Sequence, residues 1–145
     1  MPDSRPCIDD PTIGSDQTLW RRVRTIVDDP NLATGRRPST GDFDDTSPTD
    51  PMSATWVEYH LNLNFTFDDF VSRWPELGVV SVPVALVRQA GLAVMKDPTP
   101  EDPAHVLVCG DKTKGTKKKL AKGATILRDV PPPANELIPV AHHLE

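Results

Sequence analysis

The chain has 145 residues, which is enough for one domain with a hydrophobic core and too short for two independent ones. Hydrophobic residues make up 37% of it and prolines number 16, so we expect part of the chain to contribute little to the core. No run approaches the roughly 20 apolar residues that span a bilayer, and the first residues lack a signal-peptide profile. These features predict a cytoplasmic protein that makes no membrane contact.

The formal net charge of -5 hides an uneven distribution. Residues 1–50 carry ten acids against six bases, and residues 51–103 carry seven acids against three bases, so each block is -4. Residues 104–130 carry seven bases against two acids, a block of +5. One basic segment on an otherwise acidic molecule therefore marks the expected binding surface.

The N-terminal quarter predicts an arm followed by one amphipathic element. Residues 1–15 hold three prolines without hydrophobic periodicity and are typical of a flexible arm. Over residues 16–29 the apolar positions follow one face of a helix, which Asp16 would cap and Pro30 would stop. A short strand over residues 19–23 is the alternative that the same side chains allow.

A long loop is expected over residues 31–53, because turn-forming Gly, Pro, Asp and Ser dominate it. Phe43 is its main apolar residue and the expected anchor to the core. Loops of this length are usually functional or disordered. The loop is therefore either a binding loop that offers Arg36 and Arg37 or a loosely held segment.

The middle of the chain predicts a strand and a short helix. Residues 56–63 alternate between apolar and polar side chains, which is typical of a half-buried strand. Thr66 and Asp69 fit a capping box at the start of a helix that ends before Pro75.

A second short helix is expected after residue 80. Ser81 would cap it, with Pro83 in its first turn, and Gly91 would end it in the left-handed conformation. Residues 92–95 continue as a strand, and the prolines of residues 97–103 predict a rigid connector.

The C-terminal third predicts a strand, a helix and a strand in close succession. Residues 105–109 are nearly all apolar and are typical of a central strand. Good helix formers fill residues 112–122, Gly123 ends that helix, and residues 124–127 form a last strand. The Pro-rich residues 131–145 predict a disordered tail.

The predicted helix over residues 112–122 holds six of the seven lysines of the chain. At about 100° per residue, Lys114, Lys118, Lys119 and Lys122 fan over one arc opposite a thin apolar strip. Like charges four positions apart cost roughly 0.2 to 0.5 kcal/mol per pair, which favours a use other than stability. The alternative is a solvated face whose lysine stems cover apolar surface.

The start of this helix offers a second kind of site. Gly110 and the free N–H groups of the helix, together with Lys112, Thr113 and Lys114, would bind a phosphate or another polyanion. The stretch is not a Walker loop, because Gly115 is followed by Thr-Lys instead of Lys-Thr. Nucleotide hydrolysis at this loop is therefore not expected.

Catalytic and metal-binding patterns are weak. Cys109 could act as a nucleophile with His60 or His105 as its base, but a cysteine in an apolar run is more often a buried small side chain. Glu58 and His60 could share a metal ion, yet the sequence shows no third ligand. Cys7 and Cys109 form no ligand spacing, so we expect neither a disulfide nor a cysteine zinc site.

Several short motifs form a set: Leu19-Trp20-Arg21-Arg22-Val23, Arg37-Pro38-Ser39-Thr40 with Phe43, Met52-Ser53, Asp97-Pro98 with Pro100, Pro103-Ala104-His105, and Gly110 with Lys112-Thr113-Lys114. This set resembles a family of small soluble bacterial proteins that has no assigned activity. The resemblance covers roughly residues 18–125. It implies no catalytic residue.

Together these patterns predict an α+β fold in one small domain over residues 16–130, with short strands in one sheet, two or three short helices and flexible termini. The leading hypothesis is a non-enzymatic binding module whose Lys-rich helix meets an acidic protein or a nucleic acid, with no cofactor. The alternative is a small enzyme for a phosphorylated or nucleotide substrate, with His105, Cys109 and Lys112 at the strand end. The candidate binding residues are Lys112, Thr113, Lys114, Lys117, Lys118, Lys119, Lys122, Arg36 and Arg37.

Overall fold

The computed structural model describes residues 6–132. In this part of the chain a six-stranded antiparallel sheet, a two-stranded ribbon and four short helices form an α+β domain. The strands are β1 (Thr18–Val23), β2 (Ile26–Asp28), β3 (Arg36–Pro38), β4 (Met52–Trp56), β5 (Gly78–Pro83), β6 (Ala93–Lys96), β7 (His105–Cys109) and β8 (Thr125–Arg128). The helices are α1 (Val57–Asn62), α2 (Phe67–Ser72), α3 (Val84–Gln89) and α4 (Lys114–Gly123), with a 3₁₀ turn over Thr40–Phe43. The predicted fold class is confirmed, with one more helix and one more small sheet than expected.

The main sheet has the strand order β6-β7-β4-β1-β5-β8. β1 lies inside it and pairs with β5 along its full length, from Thr18 opposite Pro83 to Val23 opposite Gly78. β7 also lies inside the sheet, between β6 and β4, as its nearly all-apolar sequence predicts. The ribbon of β2 and β3 lies outside this sheet.

The sheet is covered on both faces, which makes three layers. On one face lies the main core, to which α3 contributes Val84, α4 contributes Leu120 and the 3₁₀ turn contributes Phe43. On the other face α1 and α2 cover a smaller cluster that consists of Trp20, Val57, Phe70 and Val79. Adjacent residues of β1 belong to different clusters, because successive side chains of a strand point to opposite faces.

The helix expected over residues 16–29 is wrong, and the alternative strand is confirmed in its place. Leu19 and Val23 pack in the main core, whereas Trp20 packs in the smaller cluster. A strand that is covered on both faces carries apolar residues at adjacent as well as alternate positions. That spacing imitates one face of a helix, which explains the error.

The strand expected over residues 56–63 is also wrong. The strand β4 comes earlier and ends at Trp56, and helix α1 begins at the next residue. The buried side chains of α1 are Val57 and His60, which are three positions apart as in a helix. The apolar residues that suggested alternation, among them Leu61 and Leu63, are exposed.

The segment 31–53 is built into the domain. It contains β3, the 3₁₀ turn and a bridge between Ser47 and Asp50. Phe43 is fully buried, as expected of the anchor. The carboxylate of Asp42 accepts hydrogen bonds from the backbone N–H groups of Arg24 and Thr25, which fixes the turn against the end of β1.

The described part of the N-terminal segment, residues 6–15, packs against the domain. The N–H of Asp10 donates to the carbonyl of Val94 on β6 at 2.8 Å, and Ile13 is fully buried in the main core. Asp9 forms an ion pair with Arg88 of α3. These contacts do not fit the expected flexible arm, whereas residues 1–5 and the predicted tail from 133 onward lie outside the described residues.

Several local predictions are confirmed. Thr66 and Asp69 form both hydrogen bonds of a capping box at the start of α2. Gly91 has a φ of 85° just after α3, and β6 follows it. One detail differs, since β5 continues through Ser81 and the residue that caps α3 is Pro83. Across residues 6–132 no helix has both the length and the apolar character to cross a membrane.

Candidate functional site

The predicted basic helix exists as α4. The Thr113 hydroxyl accepts a hydrogen bond from the N–H of Thr116 at 3.1 Å, so the helix begins at Lys114, two residues later than expected. Leu120 and Ala121 are fully buried, and the helix packs against the 3₁₀ turn, β3 and β5. The predicted thin apolar strip is therefore present.

Four lysines of α4 lie on its solvent side. Lys114, Lys118, Lys119 and Lys122 are exposed, and none of them forms an ion pair with another described residue. Together they are called the lysine arc below. Eight steps of 1.5 Å separate its first and last members, so the arc is about 12 Å long.

The other two lysines of the segment face the protein itself. Lys117 donates a hydrogen bond to Asp44, and the ammonium of Lys112 forms an ion pair with Asp45 whose angles fall outside hydrogen-bond geometry. The Lys112 side chain is only 4% exposed. The loop after the 3₁₀ turn thus supplies two carboxylates, Asp44 and Asp45, to two of the lysines that were candidates for binding an anion.

Arg36 and Arg37 do not extend the basic surface as predicted. Their strand β3 packs against α4, but each guanidinium has a carboxylate of its own. Arg36 donates to both carboxylate oxygens of Asp129, at 2.6 and 3.1 Å, and this contact lowers the pKa of that carboxyl group. Arg37 Nε donates to Asp29 at 2.8 Å and lowers the pKa of Asp29 in the same way. Arg36 and Arg37 therefore add no unpaired charge to the lysine arc.

The candidate catalytic residues are not brought together. Cys109 forms a disulfide with Cys7, which corrects the expectation that the two cysteines stay apart. His105 is four residues from Cys109 on the same strand, a separation of about 13 Å. His60 is buried beside Trp20, and its Nε2 lies 2.8 Å from the Thr66 carbonyl. Cys109 therefore has no free thiol, and no contact joins it to a histidine among residues 6–132.

Glu58 and His60 do not form a metal site. A carboxylate oxygen of Glu58 accepts the N–H of Thr18, whereas the His60 ring packs among aromatic side chains. Within residues 6–132, no three His, Cys, Asp or Glu side chains are placed to hold a metal ion.

The sequence analysis missed a cleft beside α2. It has a volume of about 630 Å³, and its lining joins residues of the smaller cluster to the 3₁₀ turn and the loop that follows it. Its floor includes Thr55 of β4 and His105 of β7, and its aromatic wall consists of Trp20, Phe70 and Trp74. Four arginines also line it: Arg21, Arg22, Arg24 and Arg73.

Arg21 completes the floor of this cleft and has a structural role. β1 pairs with β4 only at Leu19 and Trp20, and beyond that point the Arg21 guanidinium lies between the strands. It donates to the carbonyls of Asp42 and Ser53 at 2.7 to 3.0 Å. Burial lowers the pKa of Arg21. Its donors are used by the protein itself.

Most N–H groups of the Arg22 guanidinium, unlike those of Arg21, have no hydrogen-bond partner among the described residues. One Nη donates to the Phe70 carbonyl at 2.9 Å, and the guanidinium lies 3.8 Å from the centre of the Phe70 ring. Its buried Nε has no hydrogen-bond partner. Burial, followed by the positive charge of Arg73, lowers the pKa of Arg22 to about 10. Two cations thus lie close enough to repel each other.

The only sequence signal for this site was the pair Arg21-Arg22 inside an otherwise apolar strand. The helix prediction for residues 16–29 rested on the apolar side chains and made no use of the pair. In a strand, adjacent side chains point to opposite faces of the sheet, so each arginine of the pair meets different neighbours.

Comparison with known proteins gives no relative: no family model, no curated protein and no solved structure matches the chain. The resemblance to small bacterial proteins therefore stays a prediction, and any function has to be inferred from the geometry of this chain.

Proposed function

We propose that the chain is a non-enzymatic binding module that contacts an acidic partner through the lysine arc of α4. The observation that carries the proposal is that Lys114, Lys118, Lys119 and Lys122 are exposed without a carboxylate partner among the described residues, although acids outnumber bases in the chain. Arg36, Arg37, Lys112 and Lys117 all have such a partner. The lysine arc therefore gathers four unpaired positive charges on one exposed helix face.

An acidic protein segment suits this surface better than a nucleic acid. The chain carries -5 in total, so subtracting the four positive charges of the lysine arc leaves -9 on the rest of the molecule. A long polyanion would extend beyond the 12 Å arc and meet this acidic remainder. No aromatic residue lies within α4 to stack on a base.

The test is a binding titration with a fluorescent Glu-rich peptide and, separately, a DNA duplex, at increasing salt. The double variant Lys118→Gln/Lys122→Gln should bind the peptide about fivefold more weakly, since each exposed charge contributes about 0.5 kcal/mol. The matched control Arg24→Gln/Lys96→Gln removes the same charge elsewhere and should bind almost as wild type.

Two results would contradict the proposal: no peptide binding at low salt, or an equal loss of affinity in both double variants. Tighter binding of the duplex that depends on Lys118 and Lys122 would make a nucleic acid the partner instead.

The predicted cytoplasmic location is also a proposal, and the disulfide supplies its test. Disulfides persist in oxidising compartments and are rare in the cytosol. Alkylation of Cys7 and Cys109 in freshly lysed cells would support a cytoplasmic protein, whereas two blocked thiols would place the chain in an oxidising compartment.

A further inference from the structure

We propose that the cleft beside α2 binds a small aromatic anion, with its carboxylate or phosphate group between Arg22 and Arg73 and its ring against Trp74. This site is distinct from the lysine arc, because none of the four arc lysines lines the cleft and its aromatic wall contains Trp20 and Phe70 of the smaller cluster, on the sheet face opposite the core that holds α4.

The first support is the pair of arginines. Neither Arg22 nor Arg73 forms an ion pair with a carboxylate in residues 6–132, whereas Arg36, Arg37 and Arg88 all do. Two guanidinium groups that lack a counter-ion and repel each other gain free energy when an anion lies between them. Arginine suits this role because its donors match carboxylate and phosphate oxygens in pairs.

The second support is that both arginines are held in position before any ligand arrives. Arg22 lies over the Phe70 ring and donates to the Phe70 carbonyl. Arg73 donates from one Nη to the carbonyl of Glu101 at 2.7 Å. Each guanidinium therefore keeps further N–H groups for a ligand while its direction is fixed, which reduces the entropy lost on binding.

The third support is the aromatic wall. Trp74 is 46% exposed and lines the cleft, 5.9 Å from the Arg22 guanidinium. A large exposed aromatic residue beside unpaired arginines offers a planar surface for a ligand ring. The cleft volume of about 630 Å³ lies within the range of small-molecule sites.

Most acidic residues of the cleft have partners within the protein, whereas Glu76 lines it without an ion pair in residues 6–132. Asp44 and Asp45 pair with Lys117 and Lys112, and Asp42 accepts backbone N–H groups. Asp102 is buried; it accepts from the Thr55 hydroxyl at 2.6 Å and from the N–H of Ala104. Its charge partly offsets that of Arg22, so we expect the ligand anion to lie nearer to Arg73.

The cleft continues into a second cavity of about 240 Å³ on the far side of Arg73. His60, Phe65, Glu101 and Pro103 line it. Arg73 and Asp102 line both the cleft and this second cavity. We therefore expect the second cavity to accept a substituent of the ligand.

The experiment uses the full chain and three probes: benzoate, phenyl phosphate, and benzamide as the neutral analogue of benzoate. Binding is followed by NMR, through the side-chain N–H signals of Trp74, Arg22 and Arg73. Probes of this size bind weakly, so titrations should extend to about 10 mM. Benzoate, phenyl phosphate or both should shift these signals, and benzamide should not. Comparison of the two anions shows which group the site prefers.

Arg73→Gln is the main variant, because Arg73 is exposed and its loss should leave the fold intact. It should weaken binding of the anion about tenfold, the loss expected for one charge-assisted hydrogen bond. Arg22→Gln should also weaken binding of the anion about tenfold, provided that the NMR spectrum of this variant shows a folded protein. Lys118→Gln removes the same charge on α4 and should bind as wild type.

The proposal would be overturned by equal shifts with benzamide, by unchanged affinity in Arg73→Gln, or by the absence of shifts at Trp74 with both anions. Shifts confined to the residues of α4 would assign the anions to the lysine arc instead.

Discussion

Cys109 at the end of β7 is bonded to Cys7, 102 positions earlier in the chain, and this bond ties the N-terminal segment to an inner strand of the main sheet. The same segment places Ile13 in the core and pairs Asp9 with Arg88 of α3. Residues 6–15 thus cover β6 and α3 instead of projecting into solvent.

Reduction of this disulfide should lower the free energy of unfolding by about 2 to 5 kcal/mol, because the bond closes a long loop in the unfolded chain. Cys7→Ser should have the same effect without a reductant. Urea unfolding with and without dithiothreitol measures the difference. The double variant Cys7→Ser/Cys109→Ser is the control and should not respond to dithiothreitol. An unchanged midpoint of the wild-type protein on reduction would contradict the prediction.

Asp44 is expected to restrain the basic surface of α4. Asp44→Asn removes the partner of Lys117 and so frees a fifth lysine next to the arc. Affinity for the Glu-rich peptide should rise about two- to threefold, the effect of one exposed charge pair. Asp68→Asn is the matched control, since Asp68 is exposed on α2 and its replacement changes the net charge equally. Equal gains in the two variants would show that only net charge matters.

Replacement by alanine should change the stability of the protein in opposite directions at two glycines. Gly91 has a φ of 85°, a conformation in which alanine is strained, so Gly91→Ala should destabilise the protein by about 1 to 2 kcal/mol. Gly115 lies in the first turn of α4, and an added Cβ would meet the Thr113 hydroxyl oxygen at 3.9 Å, an ordinary contact, so Gly115→Ala should stabilise by about 0.5 to 1 kcal/mol. Urea denaturation of both variants checks the pair. Stabilisation by Gly91→Ala would show that the turn after α3 differs from the one described.

Stability should fall on acidification, in part through Asp29. The hydrogen bond from Arg37 lowers the pKa of Asp29 from its usual 3.8. A carboxyl group with a lowered pKa in the folded state stabilises the fold above the unfolded pKa, and this contribution disappears as the pH falls through the folded pKa. Asp29→Asn should therefore unfold at a lower temperature than wild type at neutral pH.

The gap in melting temperature between Asp29→Asn and wild type should narrow below pH 3.8, where the wild-type carboxyl becomes protonated. Thermal unfolding followed by circular dichroism over this pH range measures the gap. A gap that stays constant with pH would mean that the ion pair with Arg37 does not contribute.

The sequence predicted those elements whose signals are local. The capping box of Thr66 and Asp69 and the glycine after α3 each depend on a few neighbouring residues. The apolar run of β7 and the two faces of α4 could be read for the same reason. The α+β fold class follows from these elements.

The errors arose where distant partners decide the structure. Nothing near Trp20 in the chain says that β5 pairs with it on one side and β4 on the other, and this pairing is what turns residues 18–23 into a strand. Likewise, helical spacing placed four lysines of residues 112–122 on one arc, but it did not show that Lys112 and Lys117 have acidic partners. Only the fold brings Asp45 to Lys112 and Asp44 to Lys117.

The sequence alone determined that one basic helix stands on an acidic molecule, because charge counts and helical spacing need no tertiary information. The tertiary structure decided which cations stay unpaired and brought Arg22 and Arg73, from a strand and the end of a helix, into one cleft. Whether a charge is free depends on groups that are distant in the chain and close in space. Ion pairing and burial are properties of the fold, and the order of residues does not display them.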